Sequence, residues 1–409
     1  MVETQSEQSN QGTAGAKGPP ARASLAIVYF TIFLDLLGFG IILPLMPFYA
    51  LHFGARPTEI GLLFAAFSIA QLVSAPLLGR LSDRIGRRPV LLISLLGASA
   101  AFVATGLSFS LYTFIAARAF AGLFAGSIAT AQAYVADVTT PAERTKYMGL
   151  VGASIGMGFV FGPWIGAELS RFGFGTAAFV SAGLAFLNFV LALVLLRESL
   201  PPELRGQARL RMRTGFSFAR LRAALGQPVV GQVLSAGFLT MFAFVAMETT
   251  FSLLGFRKFG LNQQQLGRTF GVLGIVIAIV QGGLVGKLAK LLGERRLAMI
   301  GAVVVALGLG ALPWQPTLTL TVACLLLVAC GQGLLQPCLS TLLSRSSAAD
   351  AQGGVLGLGQ SLSSLARVVS PLIAGVLFER GVFLPYALAA TLMLGVCWLL
   401  SSLPLPARS

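Results

Sequence analysis

The sequence predicts an all-α membrane protein with twelve spanning helices in two related halves of six. Three observations predict it: a composition too apolar to face water, twelve apolar runs of spanning length, and an internal repeat that puts the halves in register. Of 409 residues, 56% are hydrophobic and only 11% are charged, against about 25% charged in a soluble domain. Lipid is the solvent that suits such a chain. Its 48 glycines also fit membrane helices better than soluble ones.

A helix needs about 20 apolar residues to cross a bilayer. Runs of that kind begin near residues 24, 58, 89, 111, 147, 174, 228, 265, 296, 317, 353 and 382. The first, from about Ser24 to Ala50, is too long for the apolar core of a signal peptide and reads as a retained span. Residues 1–23, rich in Gln, Ser, Gly, Ala and Pro, read as a disordered cytoplasmic tail. Between the sixth and seventh runs, Arg197 to Gln227 holds Pro201, Pro202 and seven arginines. It reads as a cytoplasmic linker with a surface helix against anionic lipid. The expected organisation is therefore a tail (1–23), a six-helix bundle (24–196), a linker (197–227) and a second six-helix bundle (228–409).

The repeat is legible in three places. Phe53-Gly54 with Gly61 recurs as Phe259-Gly260 with Gly267. Gly79-Arg80-Leu81 with Gly86 and Arg88 recurs as Gly286-Lys287-Leu288 with Gly293 and Arg295. Gly162-Pro163 with Gly149 upstream recurs as Ser370-Pro371 with Gly357. An offset held near 206–208 residues is the mark of a parallel internal repeat, which many secondary transporters share.

The net charge is +15, but the basic residues sit in short loops and not on a tail or continuous face, so nucleic acid is not the expected partner. With the N-terminus inside, that side gathers Arg80, Arg84, Arg87, Arg88, Arg144, Lys146 and the linker arginines. The other side holds only Arg56, Arg171, Arg257, Lys258, Arg268 and Arg380. This asymmetry predicts cytoplasmic termini in an inner or plasma membrane. Cys324, Cys330, Cys338 and Cys397 lie in apolar runs without metal-ligand neighbours and read as packing residues. One histidine (His52), no Walker loop, no HExxH and no GxSxG leave no basis for a metal, a cofactor, ATP coupling or an enzyme's catalytic set. The expected partners are protons, a small molecule and the bilayer, and the expected state is a monomer.

Ionisable residues inside a membrane are functional candidates by default. Asp35 lies about 11 residues into its run, ~17 Å along at 1.5 Å per residue, near the midplane. It is either a proton-coupling acid or an acid held by a structural partner such as Arg118. Arg118, in the fourth run, stays charged and must pair or face water. It either biases the protonation of Asp35 or clamps the bundle. Glu248, in the seventh run, reads as a cation attractor, a second protonation site or a harmless vestibule residue. Arg367, in the eleventh, reads as pairing with an acid across the two halves or as snorkelling. Gln332 and Gln336 are cavity hydrogen-bonders or interhelical glue. Phe39, Phe242 and Phe244 are expected on the wall of an apolar cavity. Gly158, Gly162 and Gly166 around Pro163 let helices approach closely, with a kink at the proline.

The segment Gly79-Arg80-Leu81-Ser82-Asp83-Arg84-Ile85-Gly86-Arg87-Arg88 resembles the loop 2–3 motif of the major facilitator superfamily in full. Arg118 with Gly122 and Gly126 resembles that superfamily's helix 4 motif. Gly158 to Gly166 resembles the motif associated with its proton-coupled antiporters. Asp35 to Gly40, followed by Pro44 and Pro47, looks like helix 1 of tetracycline-efflux-type drug:proton antiporters. The resemblance covers almost everything after residue 24. It implies the major facilitator fold, alternating access, and drug export driven by protons through Asp35 and Arg118. It also implies a gate in which Asp83 meets the start of helix 11 at Gly353-Gly354, while Asp137 pairs with a loop arginine. The bland reading of loop 2–3 is a topology signal alone. The second half has Lys290 where Asp83 sits, so this gate is expected to be one-sided. Tetracycline exporters carry an acid in helix 9 and Leu297 to Leu312 has none, which argues against tetracycline as the substrate. Two other functions remain compatible with the residues: uptake of a metabolite, and a non-transporting sensor or scaffold.

Overall fold

The computed structural model describes residues 22–173, 175–200, 218–346 and 352–403; the tail and most of the linker lie outside the described residues. Among the described residues, twelve helices are long and apolar enough to cross a membrane. They are α1 (Ser24–His52), α2 (Pro57–Ile85), α3 (Arg87–Gly106), α4 (Leu111–Val138), α5 (Tyr147–Phe172) and α6 (Thr176–Leu195) in the first half. The second half has α7 (Pro228–Phe259), α8 (Gln263–Leu292), α9 (Glu294–Trp314), α10 (Leu318–Arg345), α11 (Val355–Arg380) and α12 (Leu384–Ser401). Every start falls within two residues of the one read from hydropathy. Within the linker, Phe218–Leu225 is helical.

Local chemistry sets the ends. Pro57 and Pro228 occupy first turns, where no amide hydrogen is needed. Ser110 caps α4 by accepting from the Thr113 amide (3.2 Å), and Asn262 caps α8 by accepting from the Gln265 amide (2.9 Å). Gly86 and Gly293, at φ +112° and +80°, make the matching turns after α2 and α8, a conformation that side chains resist.

The repeat is visible in the packing. In the first half α1 packs on α5 and α6, α2 on α4, and α3 on α6. In the second, α7 packs on α11 and α12, α8 on α10, and α9 on α12. The halves meet through α2 with α11 and through α5 with α8, which are equivalent pairs under the repeat. Arg88 Nη2 donates to the Leu193 carbonyl at the end of α6 (2.7 Å), and Arg295 Nε donates to Leu400 O at the end of α12 (2.7 Å). Both put a cation on a helix C-terminus, where the dipole favours it.

Among the described residues, three helices break their regular winding away from their ends. α1 passes through a tight 3₁₀ turn at Leu43–Leu45 around Pro44, α4 is interrupted at residues 124–126, and α8 makes one π-helical turn at Val280–Leu284. Irregular backbone at membrane depth is tolerated where it lines a cavity. Leu43, Pro44, Phe124, Ala125, Gln281 and Gly282 all do so here. α5 runs helical through Pro163, from Pro141 to Leu169.

The halves are closed at the end away from the linker. There Gly61 lies against Pro371 O, Gly375 against Pro57 and Thr58, and Gly267 against Pro163 and Ala167. Arg268 of α8 binds Glu168 of α5 (2.6 Å), and Glu379 of α11 accepts from the Thr58 amide at the start of α2 (3.0 Å). At the linker end Gly149, Gly152, Gly282 and Gly357 face open space. A central cavity of about 2750 Å³ opens there.

Candidate functional site

The cavity is bounded by α1, α2, α4 and α5 on one side and by α7, α8, α10 and α11 on the other. Its wall is mostly apolar, with aromatic rings from Phe39, Phe64, Phe67, Phe159 and Phe244 and amides from Gln71, Gln332 and Gln336. Four charged side chains reach it: Asp35 and Arg118 from the first half, Glu248 and Arg367 from the second. The wall therefore carries two charges of each sign.

Asp35 is positioned by the interruption of α4. The chain turns at Gly126 and a new helical segment begins at Ser127. The Ser127 hydroxyl donates to Asp35 Oδ2 at 2.5 Å. The carboxylate thus lies beside the first residue of a half-helix, whose dipole favours an anion. Ser127 was not among the residues the sequence singled out. Its signal was a Gly-Ser pair in the middle of an otherwise apolar span.

Arg118 does not pair with Asp35, which corrects the expected contact. Its guanidinium carbon lies 4.6 Å from the centre of the Phe67 ring and 5.7 Å from that of Phe39. Among the described residues, no carboxylate stands within 4.0 Å of it. The two ring centres lie 5.3 Å apart, so both rings stand on the same side of the cation. Arg367 and Glu248 attract each other electrostatically but form no direct ion pair. Both belong to the second half, and among the described residues Arg367 forms no ion pair with an acid of the first half. Phe242 also departs from expectation: it is buried in the core, and its carbonyl accepts from Ser370 Oγ at 2.7 Å. Phe244, two residues on and so about 200° round the helix, takes the cavity position.

The glycine face of α5 packs on α1. Gly158 lies against Leu36, Gly162 against Gly40 and Gly166 against Ile41. Cβ atoms at Gly40 and Gly162 would lie 3.2 Å and 2.7 Å from backbone atoms of the other helix. Pro163 presents its carbonyl to Gly267 of α8, so α5 is pressed between α1 and the other half.

At the linker end, loop 2–3 forms a cluster. Arg87 Nη1 binds Asp83 Oδ1 at 2.5 Å, and its Nε binds Asp137 Oδ2 at 2.9 Å. Arg87 thereby joins the ends of α2 and α4 to the start of α3. Glu198, just past α6, accepts from the backbone amides of Arg87 (2.8 Å) and Arg88 (3.2 Å). A side chain at Gly86 would meet this carboxylate and displace it. Arg84 is exposed, and Gly79 faces open space. The expected Asp83 partner at Gly353 and Gly354 borders residues 347–351, which lie outside the described residues. The second half has a clamp that the sequence reading missed: Glu294 binds Arg345 at 2.8 Å. By the repeat offset these are the places of Arg87 and Asp137, with the charges exchanged. Arg345 is 68% exposed against 12% for Arg87, and exposed pairs contribute only about 0–1 kcal/mol. Arg87→Ala should therefore slow transport several-fold more than Arg345→Ala, as initial rates in membrane vesicles at matched protein levels would show.

Ser127 gives a second expectation. A hydrogen bond to a charged group is worth about 1.5–3 kcal/mol. Ser127→Ala should lower the turnover of gradient-driven transport by about tenfold or more, with Ser127→Thr close to wild type. Equal rates in all three would remove Ser127 from the coupling site.

Comparison with known proteins agrees with this geometry. The family model of the Major Facilitator Superfamily matches residues 28–371 and 282–408. Multidrug resistance protein 2 of Bacillus subtilis is 32% identical over 373 residues, covering 90% of this chain and 92% of that protein. The class C tetracycline resistance protein of Escherichia coli is 30% identical over 382 residues, covering 93% of both. Among solved structures, the human organic anion transporter MFSD10 (TETRAN) superposes with a TM-score of 0.69 at 26% identity, covering 94% of this chain and 100% of that one.

Proposed function

This chain belongs to the Major Facilitator Superfamily, and from that premise we propose that it is a proton-coupled antiporter exporting small amphipathic molecules. A membrane transporter of small molecules is what the family and fold establish; direction, coupling and substrate class are our reading. The observation that carries the reading is Asp35, a carboxylate on the wall of a two-sided cavity, held by Ser127 at the break in α4. Multidrug and tetracycline resistance proteins among the relatives support export.

The linker end is taken as cytoplasmic because the basic loops gather there. The structure then corresponds to the inward-open carrier. Substrate enters from the cytoplasm or the inner leaflet, and its apolar body settles among Phe39, Phe67, Phe159 and Phe244. Asp35 releases its proton inward as substrate binds. The halves then rock, parting α2 from α11 and α5 from α8 and closing the linker end. Asp35 takes up a proton from outside, substrate leaves, and the carrier returns. Asp83, Arg87 and Asp137 act as a gate in this cycle, and the glycine face of α5 lets α1 and α5 move as one body.

The reading is tested by reconstituting the protein in liposomes, imposing a pH gradient and following a fluorescent lipophilic cation. Gradient-driven accumulation above protein-free liposomes is the expected result. Movement at the same rate with and without the gradient would replace antiport by facilitated diffusion.

A further inference from the structure

Arg118 is 2% exposed, deep in a membrane span, and its guanidinium forms no hydrogen bond with any described residue. Its Nε is fully buried and unpartnered. A guanidinium has five N–H donors in a planar fork and does not lose its charge in proteins. Leaving such a group unpaired in an apolar setting is costly, and the two aromatic rings offset only part of that cost. Of the other charges on the cavity wall, Asp35 is engaged by Ser127, and Glu248 and Arg367 attract each other. Arg367 thus has an acid that attracts it, whereas Arg118 has neither a hydrogen bond nor an attracting carboxylate among the described residues.

We propose that Arg118 is a binding subsite for a carboxylate, or a similarly planar anionic group, on an aromatic substrate. Phe67 and Phe39 stand together beside the guanidinium, their ring centres 5.3 Å apart, and Phe159 packs edge-on against Phe39 with ring centres 6.1 Å apart. With the rings on one side and no hydrogen bond made, the guanidinium keeps N–H donors free for the two oxygens of a carboxylate. The aromatic body attached to that carboxylate rests on the same rings. The subsite faces the cavity, since Arg118, Phe39, Phe67 and Phe159 all line it. Asp35 lies four residues, or about 6 Å along α1, from Phe39. A substrate with both an anionic and a cationic group therefore fits the first-half wall with its anion on Arg118 and its cation toward Asp35. This inference rests on the transporter reading and adds aromatic anions and zwitterions to the amphipathic substrates of that reading.

The test compares 2-naphthoate with 2-naphthamide, which share an aromatic body and differ in charge. Binding to purified protein in lipid nanodiscs is followed by naphthalene fluorescence. Wild type should bind naphthoate at least about tenfold tighter than naphthamide, a difference of about 1.4 kcal/mol. Arg118→Gln should abolish the preference while keeping naphthamide affinity, which also certifies its fold. Arg118→Lys, which keeps the charge without the fork, should retain a reduced preference. Equal affinities of wild type for the two probes, or an undiminished preference in Arg118→Gln, would overturn the proposal. Failure here with intact proton-driven cation accumulation would leave the antiport reading standing. A naphthoate preference without that accumulation would leave the subsite and remove the antiport.

Discussion

Asp35→Asn should eliminate gradient-driven accumulation while leaving substrate exchange. The substitution preserves shape and keeps a hydrogen-bond acceptor for Ser127, whose hydroxyl donates to Asp35 at 2.5 Å. What it removes is the exchangeable proton. A carrier without it still binds substrate among the rings and still rocks, so preloaded liposomes should exchange labelled for unlabelled substrate at near wild-type rates. Accumulation under an imposed pH gradient should fall to the level of protein-free liposomes. If Asp35→Asn accumulated substrate normally, Glu248 would be the remaining cavity acid to carry the proton, and the helix 1 assignment would be wrong. If both exchange and accumulation were lost with the protein correctly inserted, Asp35 would be a structural strut of α1 and α4.

The second large effect is expected at Gly61. α2 and α11 cross there so closely that a side chain on Gly61 would overlap the Pro371 carbonyl, and a Cβ on Gly375 would lie 2.6 Å from Pro57 O. These contacts exist only while the far end is closed. Overpacking costs typically 1–3 kcal/mol, and an energy of that size moves a conformational equilibrium about 5–150-fold. Gly61→Val should therefore push the carrier toward the state open at the far end and depress transport by a similar factor. In a background with the four native cysteines replaced, a cysteine at Gly152, which faces open space toward the linker end, reports the shift. Its labelling from that side should slow at least tenfold in Gly61→Val, a change of about 1.4 kcal/mol. Unchanged labelling would mean that α2 and α11 yield locally and do not act as the far-end seal.

The spans were legible because lipid imposes one rule on every helix, and apolar length alone satisfies it. The repeat was legible because Gly86 and Gly293 are fixed by backbone conformation, whatever the local sequence. Which side of a helix faces the cavity was harder to read. Phe244 stands one turn from Glu248 on the same face of α7, which separates it from buried Phe242, but that distinction is visible only when the phenylalanines are read by their spacing from the acid and not one by one. The partners of the buried charges were also out of reach. Whether Arg118 meets Asp35 or two phenyl rings depends on the break in α4, and that break is signalled only by small residues at Gly126 and Ser127. The reversed clamp of Glu294 and Arg345 was present in the repeat offset, but reading it required comparing charge pairs between the halves and not motif letters.

The central claim is that substrate and proton share Asp35 on opposite strokes of one cycle. It is tested most directly by sealing a pH-sensitive dye inside liposomes holding the protein and adding substrate outside with no imposed gradient. Substrate entry should be matched by proton exit, seen as alkalinisation of the lumen in wild type and absent in Asp35→Asn. Substrate entry in wild type with no change in lumenal pH would contradict the account.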